Sequence, residues 1–165
     1  MFDMGQLTFD IRRAPSARFM LGFFAMELFQ VDDHGRLYIS PAITDWDVLA
    51  RHGVDTIIDL DGDVDLGVPT VPNHCLYIYF PIFDEDLPNL QKLEAIANLG
   101  ASIVSSGQRV LSHCGMGFNR SALVAGVILN KLGMPGPAIV QRLRERRPGA
   151  LFNDCFAAYI ESLHI

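Results

Sequence analysis

Between Val110 and Ser121 the chain reads VLSHCGMGFNRS. His113 stands before the thiol of Cys114, Gly115 and Gly117 lie just beyond it, and Arg120 and Ser121 follow as a pair. An apolar run feeding a glycine-bearing loop that opens a helix aims several backbone N–H groups at one point. The helix dipole favours negative charge at that same point. Gly115 and Gly117 permit the close backbone approach that such a nest needs. A cysteine at its mouth loses its proton readily, because helix N-termini and nearby cations stabilise thiolate. Arg120 brings a planar fork able to grip two oxygens of a tetrahedral oxyanion. Ser121 can donate a hydrogen bond to the sulfur and ease its departure as a leaving group. The combination predicts a phosphate cradle with a nucleophile beneath it. The competing reading is a small buried cysteine that fills space and an arginine on a helix surface. His before the cysteine, Gly three after it and Ser after the arginine, all between a strand and a helix, weigh against that reading.

The elements that must position this loop are legible in the periodicity. LFQV and RLYIS flank the turn DDHG as a hairpin. TDWDVLARHG predicts a short helix with Thr44 as N-cap, Asp47 three residues on and Gly53 placed to end it. VDTIIDL and CLYIYFPI are apolar and β-branched enough for buried strands, the second stopped by Pro81. From Pro88 to about Ser105 the apolar residues fall at helical spacing, with Pro near the start. RVLSH is a short strand leading into the loop. RSALVAGVILNKLG, PGPAIVQRLRERRPG and LFNDCFAAYIESL predict three helices punctuated by Gly and Pro. Strands alternating with helices and then a helical end make an α/β domain.

Composition bounds the function classes. The 165 residues are 50% hydrophobic, enough for one compact domain over 1–165, with residues 1–30 as an N-terminal packing segment. The very apolar FMLGFFAMELF, residues 19–29, is too short to span a bilayer and carries Glu27. It reads as a packing element, helix in preference to strand, and not as a signal peptide. A net charge of −6 argues against a general grip on nucleic acid or on an anionic membrane. Three cysteines at unrelated spacings suggest neither a disulfide framework nor a zinc site, and point to reduced thiols in a cytoplasmic protein. No metal and no cofactor is expected.

HCGMGFNRS resembles the His-Cys-x-x-Gly-x-x-Arg-Ser/Thr signature of cysteine-dependent protein tyrosine phosphatases, most of all their small, dual-specificity-like members. The likeness extends to RLYISPA, VDTIIDL, PIFDEDLPNL and LRERRPGALFN. It implies a central, mostly parallel sheet flanked by helices in a three-layer domain. It also implies a two-step hydrolysis of phosphomonoesters, with phosphorylated proteins or peptides as substrates. Cys114 would attack phosphorus. Arg120 and the loop amides of Gly115, Met116, Gly117, Phe118, Asn119 and Arg120 would bind the phosphoryl oxygens. His113 would orient the loop and favour the thiolate. A general acid must protonate the leaving oxygen. The Pro-Ile-x-Asp likeness makes that acid Asp84, with Asp86 as rival. Asn153 lies near the place where relatives keep an amide that positions water. Where some relatives carry a cysteine that forms a protective disulfide with the nucleophile, this chain has Asp61.

Other features are assigned plainer roles. RLRERR, residues 142–147, reads as a solvated helix face in preference to a substrate-facing stripe. DLDGDVD, residues 59–65, lacks the closing Glu of a calcium loop and reads as a solvated acidic loop. Cys75 and Cys155 read as buried structural thiols, and Trp46 and the phenylalanines as core. Phosphotyrosine, alone or with phosphoserine and phosphothreonine, is the preferred substrate. A phospholipid phosphatase, a phospho-ligand binding module and a sulfur- or arsenate-handling enzyme are the alternatives. The absence of lysine from the loop, the presence of both Cys114 and Arg120, and the acidic loop at 84–86 weigh against them in that order.

Overall fold

A computed structural model of the chain describes residues 26–165. Two short strands, β1 (Phe29–Gln30) and β2 (Leu37–Ser40), form the antiparallel hairpin. Asp32 closes its turn by accepting from the N–H groups of His34, Arg36 and Leu37. Then come α1 (Trp46–Arg51), β3 (Thr56–Asp59), β4 (Leu76–Tyr79), α2 (Leu90–Ser105), β5 (Val110–His113), α3 (Arg120–Lys131), α4 (Gly136–Arg146) and α5 (Asp154–Glu161). The five strands lie in the order β1-β2-β5-β3-β4, and every pairing except β1–β2 is parallel. The expected mostly parallel α/β sheet is therefore present.

Alternation along the strands creates two apolar layers. Leu37, Ile39, Ile58 and Val110 face a core shared with α2, α3, α4 and α5, whereas Tyr38, Ile57 and Leu111 face Leu49 of α1 and Val54. Helix α3 is apolar nearly all round and is buried from Ser121 to Leu129, the expected place for such a helix. It crosses behind β2 and β5 and fixes where the loop before it can lie. Among the described residues no helix is long and apolar enough to cross a membrane.

Several local expectations change. Helix α1 is capped by Asp45, whose carboxylate accepts from the Asp47 N–H at 2.9 Å, and not by Thr44. Pro88 precedes the N-cap of α2, Asn89, which accepts from the Lys92 N–H. Helix α5 begins only after Asn153, because Leu151 takes a left-handed backbone (φ 55°) incompatible with a helix start. Of the apolar stretch 19–29, residues 19–25 lie outside the described residues. Phe29 at its end is in a strand, held by pairing with Ile39, and not in a helix.

Candidate active site

β2, β3 and β5 run parallel and end side by side, so Ser40 and Asp59 both sit level with His113. The strand ladder continues one step further on each side, through Cys114 N–H to Ser40 carbonyl and Leu60 N–H to His113 carbonyl. Residues 114–119 then turn back into α3. Gly117 is obligatory in this turn: its φ is 69°, and a Cβ there would stand 2.5 Å from the backbone at Ser40 and Pro41. The Gly115 carbonyl accepts from the Ala42 N–H, so the segment after β2 clamps the loop.

Cys114 is only 2% exposed. Its Sγ accepts from the Gly117 N–H at 3.3 Å and lies 3.6 Å from Ser121 Oγ. The backbone N–H groups of Gly115, Met116, Phe118, Asn119 and Arg120 meet no acceptor among the described residues. Gly117 departs from the expected set, since its amide serves the sulfur. Arg120 Nη1 is anchored by the Leu60 carbonyl (3.1 Å), the Asp61 carboxylate (3.2 Å) and the Ile82 carbonyl (3.4 Å). Its Nε is buried without a partner among the described residues. One corner of the guanidinium is thus held from behind while the Nε–Nη2 edge stays free, the edge a tetrahedral anion would meet.

Asp84, on the loop after β4, is joined to this loop. Its Oδ2 accepts from Asn119 Nδ2 at 3.0 Å and its Oδ1 from Asn153 Nδ2 at 3.3 Å. Asp86 has no such tie and lines a separate hollow of about 240 Å³ with Phe80 and Leu87. The larger cavity, about 420 Å³ between Asp32, Leu132 and Arg142, lies at the far end of α3 from Cys114.

His113 is fully buried behind the loop, its Nε2 at 2.7 Å from Asp65 and 3.5 Å from Asp59. Tyr77 of β4 donates to Asp59 and contacts Asp65 as well. Burial pushes the Asp65 carboxyl up from its ordinary value, and the nearby His113 opposes that push. These carboxylate and imidazole groups converge, with His113 Nε2 and the Asp65 carboxylate at ion-pair distance. The run 59–65 is thus the solvated loop its composition suggests only in its middle, where residues 62–64 are exposed. Asp59 and Asp65 turn inward because Tyr77 and His113, on neighbouring strands, pair with them.

In the basic run 142–147, Arg144, Glu145 and Arg146 are exposed, as expected of a solvated helix face, and only the far end departs from that reading. Arg142 and Arg146 pair with Asp33, and Arg144 donates to the Leu151 carbonyl. The Arg147 guanidinium lies between the rings of Phe29 and Phe118, 4.1 Å from each centroid, and reaches the Met116 carbonyl. It supports the loop through aromatic faces, a contact no linear pattern announces. Cys155 is exposed and Cys75 half-buried, so neither is the buried thiol expected. Trp46, the first residue of α1, packs against the apolar layer around Leu49, but Phe83 (83% exposed) and Phe152 (63%) are at the surface. They flank Asp84 and Asn153 in the chain, and the Phe152 ring centroid lies 6.1 Å from that of Phe118.

A family described as "Polymorphic toxin system, DSP-PTPase phosphatase" matches residues 35–133, from the hairpin to the end of α3. The chain belongs to this family. It is accordingly a phosphatase of the protein tyrosine and dual-specificity type, as the signature implied. A point variant of human DUSP28 is similar in structure, with a TM-score of 0.69 and 25% identity over 81% of this chain and 93% of that one. Tk-PTP in its active form gives a TM-score of 0.65 and 25% identity over 82% of this phosphatase and 95% of that chain. The human tyrosine phosphatase-like serine/threonine/tyrosine-interacting protein, at 20% identity and a TM-score of 0.65, shares the fold over 81% of this chain and 93% of its own. No curated protein sequence matches the chain.

Proposed function

We propose that this phosphatase hydrolyses phosphorylated protein side chains, phosphotyrosine together with phosphoserine and phosphothreonine, through a phosphocysteine intermediate. The observation that carries the proposal is the ring of N–H groups and the Nε–Nη2 edge of Arg120, which meet no acceptor among the described residues, around a sulfur already hydrogen-bonded by Gly117. In the first step the Cys114 thiolate attacks phosphorus and the bond to the leaving oxygen breaks. Asp84 gives that oxygen its proton. The loop amides and Arg120 hold the three equatorial oxygens as charge spreads over them. In the second step water attacks the phosphocysteine and Asp84 takes a proton back. The sulfur leaves as thiolate, aided by Ser121, and inorganic phosphate is released. His113 positions the loop from behind. Three unpaired cysteines fit a reducing compartment such as the cytoplasm.

Cys114→Ser tests this directly. The variant is expected to release no phosphate from para-nitrophenyl phosphate while still binding vanadate or inorganic phosphate, since the amide ring survives. Acid quenching of the native enzyme during turnover is expected to trap one labelled phosphoryl group on Cys114. Undiminished turnover by the serine variant would remove the nucleophile assignment.

A further inference from the structure

Asn119 immediately precedes α3 and is only 1% exposed, yet its side chain makes no capping bond to its own helix. That is unusual use of a good capping residue; Asn89 and Asn153 both cap theirs. The Asn119 amide is turned the other way. Its Nδ2 donates to Asp84 Oδ2 at 3.0 Å, and its Oδ1 accepts from the Asn153 backbone N–H at 3.0 Å. Asn153 completes the triangle, donating from Nδ2 to Asp84 Oδ1 (3.3 Å) and to the Glu85 carbonyl (3.0 Å) while its own Oδ1 caps α5.

Accepting Asp84 as the general acid, we propose that the side chains of Asn119 and Asn153 are positioning residues for proton transfer, holding the Asp84 carboxyl at a fixed angle to the cradle. The physical case rests on charge development. As Asp84 hands its proton to the leaving oxygen it becomes a carboxylate. Hydrogen bonds from neutral N–H groups to a carboxylate are roughly twice as strong as those to an uncharged acceptor. Both amide bonds therefore tighten along the reaction coordinate, which is the kind of interaction that raises rate and not merely affinity. Oδ2 is fastened to Asn119 and Oδ1 to Asn153, so the carboxyl is held at both of its oxygens. In the second step the same clamp presents the emptied carboxylate to the attacking water. Asn153 thus acts on the acid itself, in addition to whatever it does for water.

The test is a series of aryl phosphates whose leaving groups range from nitrophenol to phenol, assayed with native enzyme, Asn119→Ala, Asn153→Ser and Asp84→Ala. Serine at 153 keeps a capping hydroxyl for α5 but removes the amide donor. Both Asn variants are expected to steepen the dependence of kcat/KM on leaving-group acidity toward that of Asp84→Ala. The deficit should grow along the series to on the order of 10-fold or more with phenyl phosphate. Uniform slowing across the whole series would overturn the inference and leave Asn119 a part of the anion cradle alone. The inhibition constant of inorganic phosphate is measured for each variant. Should Asn119→Ala lose phosphate binding, Asn153→Ser decides by the same slope. If Asp84→Ala itself leaves the slope unchanged, the acid assignment has failed, an outcome separate from failure of the clamp.

Discussion

At the scale of single residues, Asp61 has two opposing effects on the cradle. Its carboxylate helps anchor Arg120, but it also stands within 3.2 Å of where a Cβ on Gly115 would be, beside the space an anion must enter. The Leu60 and Ile82 carbonyls hold the same Nη1, so the guanidinium keeps its orientation without the extra charge. Two like charges a few ångströms apart in nearly water-like surroundings repel by about 1 kcal/mol. Asp61→Asn, which keeps an oxygen for Arg120, should therefore bind inorganic phosphate several-fold more tightly, with the gain shrinking at high salt. Calorimetric titration at two ionic strengths checks this; weaker binding would mean that anchoring outweighs repulsion. Asp84→Ala is expected to lower kcat/KM by about 10²- to 10⁴-fold on phenyl phosphate. Cys114, Arg120 and Ser121 were legible from spacing because their roles are local to one loop. Asp61, Asp65, Tyr77 and Arg147 were not, since each acts on a partner that is close only after the sheet forms.

At the scale of elements, the cradle depends on how tightly the segment after β2 presses on the turn. Gly117→Ala and Gly107→Ala form a matched pair. Both glycines have positive φ, but a Cβ at 107 meets nothing while one at 117 meets backbone at 2.5 Å. The left-handed conformation alone costs about 1–2 kcal/mol for a non-glycine residue. For a chain of this size that is a melting-temperature loss of about 2–8 °C. Gly107→Ala should show that loss with normal turnover, and Gly117→Ala should exceed it and lose activity as well. Equal behaviour would mean the Ser40–Pro41 contact is not what shapes the loop. Strand and helix order could be read from periodicity because alternation and 3.6-residue spacing are properties of contiguous sequence. The start of α5 could not, because nothing in LFND reports the left-handed turn that Leu151 adopts to let its N–H reach the Phe118 carbonyl.

At the scale of the whole molecule, the buried polar group behind the cradle makes stability depend on pH in two ways. Burial and the Asp59 carboxylate hold the Tyr77 phenol well above its ordinary value of 10.0. The folded state thus keeps a proton that the unfolded chain releases above pH 10, and stability is lost as pH rises past that point. Urea midpoints should hold steady through neutral pH and fall above about pH 10, and Tyr77→Phe should flatten that fall by one proton's worth. An unchanged slope would show that other tyrosines dominate. Asp65, whose carboxyl is raised above 3.8, contributes in the same sense at the acid end: its share is full below that value and declines as pH climbs. The matched segment 35–133 contains the signature, yet Arg147, which stacks on Phe118, and Phe29, which stacks on Arg147, fall outside it. A fragment trimmed to those borders would retain every reacting group and lose the stacked guanidinium that supports the loop carrying them. The smallest autonomous catalyst in this chain is therefore longer than the stretch by which its kinship is recognised.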